Sequence, residues 1–317
     1  MIKFSNIISL SIITTVFNEE DSLSLFIDAV IPLLDGLDIS YEIIMVNDGS
    51  VDATYKLLNS YQEKYDQIKT IHLSRNFGKD VALTAGLDFS SGRAVIPIDV
   101  DFQDPIEVIP EMIAKWEQGN DIVLAERKSR AGDGFFKRIL SNSFYRIFNS
   151  IADRPIPRNV GDFRLMDRKV VEQLKQFPER VRFMKGLFSW VGFDSVTIYF
   201  ERQGRKRGKT KWGVGKLWNY SLDGIISFSS LPLKIWGYIG FMIFCFAMCY
   251  ALFLMVRTLI FGIDVPGYAS IMVTVLFLGG MNLLGIGILG EYLSRMFYET
   301  KQRPIYIVKE SSGFNNN

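Results

Sequence analysis

The stretch Ala94-Val95-Ile96-Pro97-Ile98-Asp99-Val100-Asp101-Phe102-Gln103-Asp104-Pro105 joins five apolar residues to a loop carrying three carboxylates and an amide. The apolar part has the length of one buried strand, and Pro105 opens an amphipathic run to Gln118 that reads as a helix. Moving outward, the same unit recurs. Strands are predicted at 8–16, 41–47, 68–73, 94–99 and 121–125, with helices at 20–34, 53–65, 79–89 and 105–118. Near-continuous apolar strands alternating with amphipathic helices predict an α/β, Rossmann-like domain whose mostly parallel sheet is covered on both faces. In such sheets ligands bind beyond the carboxyl ends of the strands.

The distinctive polar residues fall there. Strand one ends in Val16-Phe17-Asn18-Glu19-Glu20, strand two in Val46-Asn47-Asp48-Gly49-Ser50-Val51-Asp52, and strand three in Leu73-Ser74-Arg75-Asn76-Phe77-Gly78-Lys79. Taken singly, Asp48-Gly49-Ser50 and Asp52 read equally well as a turn and a helix cap. Asp99 and Asp101 add chemistry. Carboxylates two apart in an extended loop, with Gln103 and Asp104 nearby, can place several oxygens around one hard divalent cation that also binds a diphosphate. Such a metal neutralises a departing nucleoside diphosphate.

Composition narrows the class. The 317 residues have a mean hydropathy of +0.15 and a net charge of +2. That small total hides segregation: residues 1–125 hold 8 basic and 20 acidic side chains, 126–231 hold 22 and 10, and 232–317 hold 6 and 4. The single histidine, His72, excludes any mechanism needing two, and its strand setting predicts a structural role. Cys245 and Cys249, four apart in an apolar run, read as small apolar filler and exclude a disulfide framework.

That apolar run is one of two. Residues 235–256 and 265–290 carry no charge over 22 and 26 positions. Each exceeds the roughly 20 residues that cross a hydrocarbon core, so a two-span hairpin is predicted, turning at Pro266-Gly267. Lys234, Lys301, Arg303 and Lys309 flank it on one side, against Arg257 in the connection, which places the domain and both termini in the cytoplasm. Residues 7–16 lack a cleavage pattern and read as a strand, not a signal peptide. The expected organisation is a nucleotide-sugar-binding part (1–130), an acceptor-side and membrane-interface part (131–231), the hairpin (232–300) and a cytoplasmic tail (301–317).

These blocks, together with Asn159-Val160-Gly161-Asp162-Phe163-Arg164-Leu165-Met166-Asp167-Arg168, Arg182-Phe183-Met184-Lys185-Gly186, Trp190-Val191-Gly192 and Gly290-Glu291-Tyr292-Leu293, resemble the family 2 inverting glycosyltransferases. The resemblance is to their polyprenyl-phosphate branch, which includes dolichyl-phosphate mannose synthases and bactoprenol glucosyltransferases. It implies a GT-A fold in a bacterial inner-membrane enzyme that transfers a hexose, glucose from UDP-glucose, to undecaprenyl phosphate for O-antigen or other surface glycan modification. By the family pattern Val16, Asn18, Glu20, Asn47, Asp48, Ser50, Lys79, Asp99 and Val100 face the nucleotide-sugar donor. Asp101 and Gln103, with Asp99, hold Mg2+ or Mn2+. Asp162 aligns with a catalytic base and Arg164 with a residue meeting acceptor phosphate. A phosphate monoester is already largely ionised at neutral pH, so Asp162 orients the nucleophile more than it deprotonates it.

The basic third suits a lipid phosphate. Arg127, Lys137, Arg138 and Lys211 are the candidate acceptor-binding cations, and Phe136, Leu140, Phe144, Ile147 and Ile151 recur at helical spacing, as do Trp218, Leu222, Ile225 and Ile226. Both read as amphipathic helices in the membrane interface. Six basic residues within 202–211 suit anionic head groups better than nucleic acid, for which no recognition fold is present. Glycines 279, 280, 285, 287 and 290 allow close helix approach, within the hairpin or in a homo-oligomer, a tetramer by the resemblance. Competing readings are another donor (GDP-mannose, UDP-galactose, a modified arabinose), a processive synthase, disfavoured by having two spans and no Gln-x-x-Arg-Trp block, and a catalytically silent membrane subunit, disfavoured by the intact acidic loop.

Overall fold

The computed structural model describes residues 8–128, 145–146, 148–150, 155–157, 159–201, 229–262 and 267–314. Among them eight strands form one sheet: β1 (Leu10–Val16), β2 (Tyr41–Asn47), β3 (Ile68–Leu73), β4 (Ala94–Pro97), β5 (Ile122–Arg127), β6 (Val160–Asp167), β7 (Ser195–Phe200) and β8 (Val308–Ser312). Their order is β7-β5-β6-β4-β1-β2-β3-β8. The run β4-β1-β2-β3 is parallel, as the alternating pattern predicts. β6 lies antiparallel between β4 and β5, β7 runs parallel to β5, and β8 closes the other edge antiparallel to β3.

The crossovers are α1 (Glu20–Asp35), α2 (Thr54–Lys64) and α3 (Lys79–Phe89), followed by α4 (Ile109–Glu117), α5 (Arg168–Lys175) and α6 (Met184–Trp190). Side chains of a strand alternate between faces. Ile12, Ile43 and Ile96 therefore pack with Phe26 of α1, Leu58 of α2 and Met112 of α4. Ile13, Ile44 and Val95 face the other way, onto Leu83 of α3, Val170 of α5 and Leu187 of α6. With both faces covered, β2 is buried along its whole length. Its one buried acid, Glu42, lies near the amino end, where Lys69 (2.6 Å) pairs with it and Ser11 Oγ (2.5 Å) and Ser91 N–H (2.7 Å) donate to it. Burial alone would raise the Glu42 pKa, yet these partners hold it below its ordinary value. That carboxylate fastens the sheet at the end away from the polar loops.

His72 is structural as expected. It is buried, accepts from Asn47 Nδ2 at Nδ1 (3.1 Å), donates from Nε2 to Asn59 Oδ1 (2.9 Å), and lies against the Tyr55 ring. Burial keeps it neutral by lowering its pKa. Residues 301–317, expected as a tail, contain β8. Tyr306 Oη donates to Asp88 Oδ2 (2.8 Å), Ser74 N–H donates to Ile307 O (2.9 Å), and Phe314 meets Phe89 edge to face.

Between domain and tail stand α7 (Leu231–Phe261) and α8 (Tyr268–Thr300), and the most apolar 18 residues within Leu233–Phe261 and within Ser270–Thr300 have mean hydropathies of 2.5 and 2.1. At 1.5 Å per residue each helix is about 45–50 Å long, more than a hydrocarbon core requires. Phe241, Phe246, Leu276 and Leu283 are all more than 60% exposed, an apolar surface that suits lipid and not water. Cys245 and Cys249 are free and exposed on α7. The protein is membrane-associated. The predicted interfacial helices fall mostly outside the described residues, although Phe148 is buried against Phe183 of the catalytic domain.

One glycine of the crowded set has a contact. A Cβ on Gly285 would lie 2.1 Å from Trp236 Nε1, whereas one on Gly279, Gly280, Gly287 or Gly290 would meet nothing within 4 Å among the described residues. Gly285→Ala should therefore destabilise the hairpin by about 1–3 kcal/mol, as overpacking does, while Gly287→Ala should be near neutral. Thermal unfolding of the two variants in detergent checks this contrast.

Candidate active site

A cleft of about 950 Å3 opens beyond the carboxyl ends of β1, β2, β3 and β4. Its walls are the first loop (Val16 to Glu19), Asp48, the loop and helix start from Asn76 to Val81, the acidic stretch Asp99 to Asp101, and Arg182 from the α5–α6 loop. These loops are held by one another. Asp48, buried at the end of β2, accepts Phe77 N–H (2.6 Å) on Oδ1 and Gly78 N–H (2.9 Å) on Oδ2. Burial raises its pKa, and these two bonds favour the charged form against that. Gly49 must follow it, because φ is +70° and a Cβ would sit 2.4 Å from the Arg75 carbonyl carbon.

The first two loops interlock in the same way. Asn18, in a left-handed conformation at φ 53°, accepts Val51 N–H (2.9 Å), while its own N–H donates to Ser50 Oγ (2.9 Å). Ser50 N–H donates to Asn47 Oδ1 (2.9 Å), and Glu20 Oε2 accepts Ala53 N–H (2.9 Å) at the start of α2. Asn47, Ser50 and Glu20, expected to face the donor, thus brace the loops; Val16, Asn18, Asp48, Lys79, Asp99 and Val100 line the cleft. Phe102 is also left-handed (φ 58°), an uncommon state for an aromatic residue and one found often at functional turns.

At the centre Lys79 Nζ lies 2.8 Å from Asp99 Oδ2 and 2.8 Å from Asp162 Oδ2. Three elements meet on that ammonium: the first turn of α3, the end of β4 and the middle of β6. Burial opposes its charge, but Asp162 and Asp99 hold its pKa well above the ordinary value. Burial would likewise raise Asp162, yet Lys79 and then Lys185 keep it ionised well below the carboxylate range. Its Oδ1 is buried and meets no hydrogen-bond donor among the described residues.

The pattern of glycosyl transferase family 2 matches residues 11–175, which contain every element of this site except Arg182. The chain belongs to that family. An uncharacterized glycosyltransferase of Synechocystis sp. is 51% identical to it over 306 residues, covering 96% of each protein. The SfII prophage-derived bactoprenol glucosyl transferase of Shigella flexneri is 47% identical over 302 residues, covering 95% of this chain and 98% of that one. Mannosyl-3-phosphoglycerate synthase from Rubrobacter xylanophilus superposes with a TM-score of 0.46 at 16% identity, over 68% of this chain and 71% of that one.

Two other predicted residues of this glycosyltransferase, Arg164 and Arg127, do not line the cleft. Arg164 is buried, donates from Nη2 to Gly161 O (2.6 Å) and lies 4.1 Å over the Phe188 ring. Burial lowers its pKa to about 10. It braces the strand that carries Asp162 instead of lining the cleft. Arg127, at the end of β5, pairs with Asp104 at 3.4 Å. Lys137, Arg138 and Lys211 lie outside the described residues.

A divalent metal fits the acidic loop by donor chemistry. Asp99 and Asp101 offer hard carboxylate oxygens on the cleft wall. Gln103 is half-buried beside them and donates its N–H to Asp101 Oδ1 (3.1 Å). Among the described residues no cluster of three or more His, Cys, Asp or Glu could enclose an ion, so the transferase would complete its shell with substrate oxygens and water, the usual habit of Mg2+. Asp99 already has a cation, Lys79.

Sequence reasoning gave no role to Asp80 or Arg182. Asp80 follows Lys79 and accepts Met184 N–H (3.2 Å); burial, then Asp162, raises its pKa to about 6. Arg182 stood in a recognised block, but only the α5–α6 loop turns it toward the cleft. Asp104, nearly fully buried, is likewise pushed up to about 6, first by burial and then by Asp99. Between pH about 4, where an unfolded aspartate titrates, and pH about 6 the folded enzyme holds a proton that the unfolded chain has lost. That contribution to stability is present below pH 4 and disappears as pH rises through 6. The difference in Tm between Asp104→Asn and wild type should accordingly move in the variant's favour from pH 4 to pH 7, which thermal unfolding across that range measures.

Proposed function

We propose that this glycosyltransferase moves a hexose, glucose from UDP-glucose, onto undecaprenyl phosphate with inversion, at the cytoplasmic face of the bacterial membrane. The observation that carries the reading is Lys79 joining Asp99 of the acidic loop to Asp162 of β6. In this reading a donor-side carboxylate on the cleft wall and an acceptor-side carboxylate behind it share one cation, and a two-helix hairpin suits a lipid acceptor. The bactoprenol glucosyl transferase relatives support the same class of acceptor.

In this reading a phosphate oxygen of the lipid attacks C1 of the sugar as the bond from C1 to the diphosphate breaks, and the nucleoside diphosphate leaves. The nucleophile arrives largely ionised, since a second phosphate pKa is near 6. Asp162, held ionised by Lys79, is a weak proton acceptor and so acts by placing Lys79 and orienting the acceptor. Lys79 keeps positive charge where the leaving diphosphate becomes more negative. Asp101 and Asp99 would hold Mg2+ or Mn2+, with Gln103 beside them, and the ion would supply further neutralisation of that diphosphate. Val16 and Asn18 form the wall for base and ribose. Lys137, Arg138 and Lys211 would supply cations for the lipid phosphate and head groups, and the chain would work as a homo-oligomer with both termini cytoplasmic.

The test is transfer of radiolabelled glucose from UDP-glucose to undecaprenyl phosphate by the purified full-length protein. Asp101→Ala and Lys79→Met should each lower kcat by about 100-fold or more, the scale of losing one electrostatic stabiliser. Full activity of Asp101→Ala in the presence of a chelator would overturn the metal assignment. Thermal-shift screening of UDP-glucose against GDP-mannose and UDP-galactose decides the donor, since the true donor stabilises most at equal concentration.

A further inference from the structure

The second apolar helix does not end in solvent. In its last turn Glu299 is half-buried while Met296, Phe297, Tyr298 and Thr300 are exposed. Its carboxylate accepts Arg180 N–H on both oxygens (2.8 and 3.0 Å) and Val181 N–H on Oε1 (3.1 Å). Two successive backbone N–H groups converging on one carboxylate make a charge-assisted grip on the α5–α6 loop. That loop carries Arg182, which lines the cleft. Arg182 is held at one end by donation from Nη2 to Phe177 O (3.0 Å), and its Nε is buried and meets no hydrogen-bond acceptor among the described residues. A few residues after Glu299 the chain touches a second cleft loop, where Ser74 N–H donates to Ile307 O (2.9 Å) next to the segment clamped by Asp48.

We propose that Glu299 is a positioning residue that fixes, from the end of the membrane hairpin, the loop presenting Arg182 to a phosphate group in the cleft. The inference rests on the donor-cleft reading above. Arg182 is the one arginine among the described residues lining the cleft, and a guanidinium suits a phosphate oxygen through its forked donors. The phosphate could belong to the donor diphosphate or to the lipid acceptor, and the chemistry is shared. Glu299 reaches neither. It acts through the backbone N–H groups of the loop and through its charge near the Arg182 guanidinium, so its effect depends on Arg182 being present.

The experiment compares wild type, Glu299→Ala, Glu299→Gln, Arg182→Ala and the Glu299→Ala/Arg182→Ala double variant, all full-length. UDP affinity is read by titration calorimetry without acceptor, and KM for undecaprenyl phosphate is read in the transfer assay. Arg182→Ala should weaken one of these about tenfold: UDP affinity if the phosphate is the donor's, KM for the lipid if it is the acceptor's. Glu299→Ala should shift the same quantity about three- to tenfold. Glu299→Gln, which keeps one accepting oxygen and the fold, should fall between it and wild type, and the double variant should be no worse than Arg182→Ala. A merely structural Glu299 predicts a lower Tm with both quantities within twofold of wild type, or effects that multiply in the double variant; either result overturns the proposal. No effect of Arg182→Ala on either quantity also overturns it, while Asp101→Ala in the same assay reports separately on the donor-cleft reading.

Discussion

The Lys79 ammonium is the point on which the site depends. Asp99, Asp162 and Asp80 approach one another from β4, β6 and α3, and without a cation between them carboxylates so placed would repel and take up protons. Lys79 at 2.8 Å from two of them removes that conflict. The cost shows in Asp80 and Asp104, whose pKa values rise to about 6 because burial and neighbouring acids act on them with less relief. One ammonium shared by two carboxylates still leaves this corner net negative, so a ligand with several negative charges would need a further cation beside it.

Around that centre many polar residues of the motifs bind each other. Asp48 grips the loop that starts α3, Asn47 and Ser50 brace the turn after β2, and Asn18 and Glu20 bind the N–H groups that follow it. This is a physical reason for so many small polar residues at the strand ends. Loops that must lie open to a ligand lack apolar cover, so side-chain to backbone hydrogen bonds hold their shape. The left-handed Asn18 and Phe102 show the backbone held in conformations that isolated loops seldom adopt.

The membrane part is joined to this catalytic framework at more than one place. Tyr292 Oη donates to Ser229 O (2.8 Å) between the helices, Trp236 fills the space left by Gly285, Glu299 holds the α5–α6 loop, and β8 extends the sheet beside β3. A glycosyltransferase of this family whose acceptor is a lipid needs its cleft at a set height and tilt over the bilayer. A hairpin tied to the sheet edge and to a cleft loop is a connection of the kind that this requires.

Much of this was legible along the chain. The alternation of apolar strands with amphipathic helices up to residue 125 has a strong local cause, because a strand buried on both faces must be apolar throughout, and the two uncharged runs have a length that suits a lipid core. The strand-end carboxylates were visible as well, and the motif blocks pointed to the family. Tertiary structure decided which polar residues face the cleft and which hold it: Asn47 and Glu20 read the same as Asn18 in sequence, and differ only in the backbone N–H or side chain they meet. It decided too that the Arg164 side chain of β6 turns onto Gly161 O and the Phe188 ring while Asp162 meets Lys79, since two residues on one strand face share a side but not a neighbour. β8 was invisible because an edge strand pairs through backbone hydrogen bonds and needs no apolar pattern of its own. The meeting of Lys79 with Asp162, 83 positions apart in the chain, and of Glu299 with Arg180 and Val181, follows from how the sheet is threaded. Local sequence carries no record of such distances.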